Sequence, residues 1–298
     1  MPGENDMHLE EKLRTGEFVI FGEMDPPKGS DFSKFFKNAS LVKGRVDALV
    51  IPEMANAVMK ACSLAGCAFL QSRGFETIMQ ACCRDRNRLA LQADILGASA
   101  LGVSAVMAVP GEDIVHGDHP HAHEVKDLDL HQLLKMLQTL AGGRDLADVE
   151  LEGSPPSLIV GSVFNAGASG GALDVELQQL EERIELGVRF VITSPVFDEQ
   201  RLEVLLKRID TSRVAVIPTV LLLKSAGMAR YIDRNIRHIS ISPEIIQSIQ
   251  KAGDKAWECV KTAAGLVSRI REMGFAGASI STVGWEDKLP WILDTIRS

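Results

Sequence analysis

Aromatic side chains are scarce in this chain. One Tyr and three Trp among 298 residues leave too few stacking surfaces for an aromatic-lined sugar or RNA groove. Basic charge is also short: 32 Lys and Arg face 40 Asp and Glu, a net charge of −8. Such a surface repels a phosphate backbone, so no nucleic-acid partner is expected. No apolar run reaches the roughly 18 residues that a membrane span needs. The opening MPGENDMHLEEKLRTGE is polar and acidic, unlike a signal peptide. No membrane partner and a cytoplasmic location are therefore expected. Cysteine is sparse and odd in number: Cys62, Cys67, Cys82, Cys83 and Cys259 show no C-x-x-C spacing. They read as reduced thiols, not as a disulfide framework or a zinc site, and no metal ligand is assigned. No Pro/Ser-rich linker and no internal repeat divide the chain. One domain over residues 1–298 is expected, with 1–16 as a polar lead.

What the chain does hold is apolar residues, 46% of the total, enough for a large core. They come in short bursts with strand character at 18–21, 46–51, 77–82, 103–109, 157–164, 190–193, 214–222 and 276–283. Amphipathic stretches follow at 32–42, 57–73, 87–101, 128–141, 175–186, 199–209, 224–232 with 243–250, and 255–273. A last helix is expected over 286–297. Strand and helix in this alternation predict a (β/α)8 TIM barrel of the α/β class. A doubly wound open sheet fits less well, because no Gly-x-Gly-x-x-Gly follows the first strand.

A barrel places function on the loops after its strands. The first strand runs into FVIFGEMDPPKG (18–29), where Pro26-Pro27 stop it. A carboxylate at that mouth, Glu23, is poorly solvated, so its pKa should rise. That makes a proton donor near neutral pH. A loop Glu capping the next helix is the plainer reading. The longest such loop, 110–127, follows strand four. Gly111-Glu112-Asp113 lets backbone approach a ligand with a carboxylate alongside. His116, His119, His121, His123 and His131 fall within sixteen residues; His119-x-His121-x-His123 with Asp118 reads either as a metal cluster or as a solvated lid. In CCRDRN (82–87), Asp85 is a candidate cap for the next helix, while Arg84 and Arg86 face an anionic substrate or pair internally. NAGASGG (165–171) leads into a helix whose N-terminus suits phosphate.

Together these loops resemble one family, the 5,10-methylenetetrahydrofolate reductases. GEMDPPKG is similar to that family's strand-one Glu with its Pro-Pro pair. QACCRDRNRLALQADILGASALGV resembles its strand-three and helix-three segment, and GEDIVHGDHPHA its strand-four loop. RFVITSPVFDEQRLEVLLKRI resembles its strand-six segment. IPTVLLLKSAGMARYI and VGWEDKLPWIL are similar to branches without a regulatory domain. The resemblance spans about residues 17–295.

It implies a flavin-dependent barrel that reduces 5,10-methylenetetrahydrofolate to 5-methyltetrahydrofolate, with FAD as cofactor and tetrahydrofolate as substrate or carrier. Glu23 matches the acid that protonates the leaving folate nitrogen. Gln80, Gly111, Glu112, His119 and Arg183 fall to the cofactor, and Glu112, Ser194, Phe197 and Lys224 to the folate. The chain parts from the family where flavin and folate are touched. Pro52 follows Ile51 where a Thr is common, Pro110 precedes Gly111, Cys82 or Cys83 replaces a Thr, Glu112 replaces an Asp, and Ser194 replaces a Gln. Each change removes or shifts a hydrogen-bonding group worth about 1 kcal/mol. Two other readings follow. One is a flavin-free methyltransferase working between tetrahydrofolate and a corrinoid methyl-carrier protein. The other is a non-catalytic subunit of an active homologue. An electron-donor protein partner and a homo-oligomer are both compatible with the chain.

Overall fold

Each apolar burst pairs with its neighbour in parallel, because a strand apolar on both faces must be covered on both. The computed structural model describes residues 9–236 and 238–297. The strands are β1 (Val19–Glu23), β2 (Ala48–Ile51), β3 (Thr77–Cys82), β4 (Ala105–Val109), β5 (Ile159–Phe164), β6 (Val188–Pro195), β7 (Ala215–Leu221) and β8 (Gly277–Ser281). They close in sequence order into one barrel, β8 pairing back onto β1. The helices are α1 (Leu9–Thr15), α2 (Ser33–Ser40), α3 (Ser63–Gln71), α4 (Arg88–Ala100), α5 (Leu130–Ala141), α6 (Gly171–Glu185), α7 (Glu199–Arg208), α8 (Ala226–Asn235), α9 (Pro243–Lys251), α10 (Lys255–Glu272) and α11 (Leu289–Arg297). This is the (β/α)8 barrel that the alternation predicts.

Strand period two sorts the side chains into two cores. Phe21, Val50, Ile78, Met107, Phe190 and Ile217 fill the interior, whereas Leu49, Met79, Val106, Val216 and Ile280 face the helices. Phe21 and Phe190 meet edge to face across the interior, their centroids 5.9 Å apart.

The structure corrects the sequence reading in three places. The lead is not merely polar: α1 sets Leu9, 3% exposed, into the interior cluster; residues 1–8 of that lead lie outside the described residues. The stretch read as one helix over 57–73 opens with a separate turn, Ala55–Ala57, and α3 starts only at Ser63. Strand six runs on to Pro195 through a register shift after Ile192. There Thr193 bridges to β7, its hydroxyl accepting from Thr219 N at 3.2 Å and its carbonyl accepting from the Thr219 hydroxyl at 2.6 Å.

Among the described residues no helix is long and apolar enough to cross a membrane. Replacing an interior ring tests the packing. Phe21→Ala should lower unfolding free energy by about 3–5 kcal/mol in urea denaturation, the range for an aromatic deleted from a core that cannot collapse.

Candidate active site

The mouth is built where β1 ends. Glu23 is the last residue of β1, and the period that buries Phe21 in the barrel turns the Glu23 side chain toward the same axis. Ser281 ends β8 and donates its hydroxyl to Glu23 Oε1 at 2.7 Å. Glu23 is half-buried, and burial pushes its pKa up to about 7. The Ser281 hydrogen bond opposes the rise, Asp25 adds to it, Lys60 opposes it and Glu286 adds to it. The group thus titrates near neutrality, the condition for a general acid. It caps no helix: α2 begins after Phe32, without a side-chain cap.

The loop after β4 lies over another part of the mouth. Gly111 has φ +83°, and a Cβ there would fall 2.6 Å from Cys82 Sγ and 2.8 Å from Arg84 Cβ. Glycine therefore lets the loop settle on the end of β3. Arg84 is buried at 2% exposure. It grips Asp85 through two bonds of 2.7 Å and donates to the Glu112 carbonyl at 3.0 Å. Val125 N donates back to the Arg84 carbonyl at 2.9 Å. Gly117 presses on the 55–57 turn, where a Cβ would stand 1.9 Å from the Ala57 carbonyl oxygen. Beside it Asp118 accepts from Met59 N at 2.9 Å and pairs with Lys28. Lys28 and the Met59 amide hold the Asp118 carboxyl well below the usual carboxylate range. Arg88 fixes the far end on Asp127 at 2.9 Å. Residues 110–127 thus form a strap tied to the loops after β1, β2 and β3. The turn it presses on is strained: Met54, Asn56 and Ala57 have φ of 48°, 56° and 54°, conformations that persist where the surroundings enforce them.

The remaining sequence candidates sort by their contacts. In CCRDRN the cap is Asn87, not Asp85: its side chain accepts from Ala90 N at 3.0 Å. Arg86 pairs with buried Glu53 at 2.7 Å and with Asp94 at 2.8 Å, so both arginines of the motif bind within the protein. Gln80 Oε1 accepts from Glu53 N at 3.2 Å. His119 Nδ1 lies 2.8 Å from Asp118 Oδ1. His116, His121, His123 and His131 are exposed, and among the described residues no three His, Cys, Asp or Glu converge as a metal ion requires. Arg183 lies on α6, donating to the Val163 carbonyl at 2.6 Å and to Gln179 at 3.1 Å and pairing with Glu176 at 3.2 Å. The Glu112 side chain is 57% exposed, 3.7 Å from Arg84. Ser194 donates weakly to Asn165 at 3.5 Å. Phe197 is buried beside Pro195, Arg201 and His238. Lys224 leans over the Trp285 ring at 5.6 Å, on the loop after β8.

Gly111, Glu112 and His119 lie on the strap, Gln80 on β3 bonds the Glu53 amide, and Arg183 bonds the β5 backbone from α6. Arg183 is on the outer side of the β5 wall, and the strap residues are engaged with neighbouring loops. The reading from sequence missed Ser281, Asp25, Lys60 and Glu286 around the acid. Asp25 stood in the quoted motif, two residues past Glu23. Ser281 was detectable only as an inward position of β8, and Lys60 lay inside a stretch read as helix.

A parallel barrel with a proton-holding carboxyl at its C-terminal mouth is the architecture of a barrel enzyme. The chain belongs to the methylenetetrahydrofolate reductase family, whose sequence pattern matches residues 8–296. Membership places it in folate one-carbon metabolism. No curated protein matches the sequence. Among solved structures the chain is similar to the EDTA monooxygenase EmoA from Chelativorans sp. BNC1, with a TM-score of 0.56 and 11% identity over 94% of this chain and 92% of that one. It is also similar to 2,3-dimethylmalate lyase, a member of the PEP mutase/isocitrate lyase superfamily, with a TM-score of 0.53 and 11% identity over 97% of this chain and 82% of that one. At that identity both likenesses speak for the fold alone.

Two measurements test the geometry. Because the folded pKa of Glu23 lies near 7 and the ordinary value is 4.5, the folded state binds more protons between those pH values. Its contribution to stability should therefore fall as pH rises from about 4.5 to about 7, by about 3 kcal/mol. Urea unfolding across that range should show this component in the wild type and not in Glu23→Gln. For the strap, Gly117→Val should force residues 110–127 off the 55–57 turn. Limited proteolysis within the strap should then run about tenfold faster, with the barrel's own unfolding little changed.

Proposed function

We propose that this chain reduces 5,10-methylenetetrahydrofolate to 5-methyltetrahydrofolate, with Glu23 as the general acid. The supporting observation is Glu23 at the mouth, bonded by Ser281 at 2.7 Å and pushed by burial to a pKa of about 7. Neutral Glu23 gives its proton to the folate nitrogen that leaves the one-carbon bridge. The bridge carbon then forms an iminium with the other nitrogen, and a hydride added to that carbon makes the methyl group. Glu23 is left as a carboxylate, which the Ser281 hydroxyl stabilises. The hydride comes from a donor outside this chain, a reduced nicotinamide or a redox protein. Glu112 offers its exposed carboxylate to the donor edge of the pterin, Ser194 a hydroxyl, Phe197 an apolar wall and Lys224 a cation for an anionic group of the folate.

The family departures at Pro52, Pro110, Glu112 and Ser194 motivate a second reading, flavin-free methyl transfer between tetrahydrofolate and a corrinoid protein. The two separate in one assay. Reduction predicts methyl formation from methylenetetrahydrofolate with a hydride donor; transfer predicts methyl exchange with no donor present. In the productive assay, Glu23→Gln should cut turnover at least about a hundredfold and leave folate binding within a fewfold. Unchanged turnover would remove Glu23 from the mechanism.

A further inference from the structure

Asp25, Lys60 and Glu286, from three separate segments, line one cleft with Met24 at the end of β1, and their charges act on Glu23. Asp25 lies two residues beyond it, Lys60 comes from the segment between β2 and α3, and Glu286 from the turn after β8. Lys60 Nζ sits 2.6 Å from Asp25 Oδ2, both side chains 20% exposed. Asp25 Oδ1 is buried and has no hydrogen-bond partner among the described residues. One ammonium is thus the direct partner of this carboxylate. Glu286 is buried at 8% exposure. The strands flanking β1 bring no charge at this level: Val50 of β2 stands in register with Glu23, and β8 offers the Ser281 hydroxyl. From β7, Lys224 is turned to the Trp285 ring.

We infer that Lys60 is a positioning residue for Glu23: clamped on Asp25, it balances the carboxylates around the acid and fixes how tightly the acid holds its proton. The inference rests on the acid role proposed for Glu23. The physical reason is the sign of each neighbour. Asp25 and Glu286 disfavour a second negative charge and keep Glu23 protonated, while the Lys60 ammonium favours the carboxylate that remains once the proton has left. Lys60 acts with the Ser281 hydroxyl against burial and the two carboxylates, so the group titrates near neutrality, where a general acid works best.

The test measures Glu23 without turnover, by carboxyl 13C titration of glutamate-labelled protein, the resonance assigned by its loss in Glu23→Gln. Lys60→Met should raise the midpoint by about one pH unit, and Asp25→Asn or Glu286→Gln should lower it by a similar amount. The double variant Lys60→Met/Asp25→Asn should return close to the wild type, and Lys60→Arg should keep the wild-type midpoint. A packing role for Lys60 predicts no such opposition of sign. Single variants that move the midpoint in one common direction, or leave it unmoved, overturn the inference. If the Lys60 or Asp25 variants fail to fold, Glu286→Gln, on a different loop, carries the sign test with Lys60→Arg as the control. The pH profile of turnover is then compared. Midpoints that shift as expected while the profile stays fixed would overturn the acid role of Glu23 and support the charge pair as what sets its proton affinity.

Discussion

Desolvation of one carboxyl, at the last residue of β1, is the constraint around which the mouth is arranged. A closed parallel barrel leaves its inward positions no choice: the period that packs Phe21 against Phe190 aims Glu23 toward the axis. A charge there is costly, so the group keeps its proton unless neighbours compensate. The compensation comes from across the sequence. Ser281 reaches it only because β8 pairs back onto β1 and closes the barrel. Barrel closure and acid strength are therefore one physical fact seen at two scales.

The strap shows the same dependence of site on scaffold. Its hydrogen bonds run to Met59, Arg84 and Lys28, which sit on three different loops. Those loops are fixed by buried pairs such as Arg86 with Glu53, 2.7 Å apart. Breaking one partner of such a pair leaves a buried charge uncompensated, at a cost of about 3–5 kcal/mol. The part of the mouth over β2 to β4 is stiffened for this reason.

The sequence made the strands legible because each is a short apolar burst that a two-sided burial requires. Thr77–Cys82 has the bounds that its pattern predicts. The family and the acid were legible in the same motif, GEMDPPKG. What could not be read follows from how local sequence signals work. The chain after β2 takes left-handed φ at Met54, Asn56 and Ala57 and enters α3 only at Ser63, so residues 57–62 passed for helix and hid Lys60. Ser281 has the composition of any strand residue; only pairing between chain ends 258 positions apart gives it a partner. Arg183 had the right charge for a phosphate, but α6 turns it to the β5 backbone, and side-chain direction is not written in spacing alone.

The family departures also take on a different meaning in three dimensions. Read along the chain, the Cys at 82, the Pro at 52 and the Pro at 110 are separate losses of hydrogen-bonding groups. In the fold, Cys82 Sγ lies directly under Gly111, at the place where a side chain on the loop would go. Burial pushes the Cys82 thiol up to about 11, so it stays neutral and packs as a small apolar group. Pro52 is buried beside Glu53, whose carboxylate takes Ser63 N at 2.6 Å and Arg86 at 2.7 Å. Random loss of ligand contacts would leave polar groups at these positions unsatisfied, which a native fold tolerates rarely. Here the arginines, the carboxylates and the loop backbone have found partners in one another. The departures thus belong to one self-consistent packed unit, and agreement among neighbouring residues of that kind marks a sequence that specifies its structure.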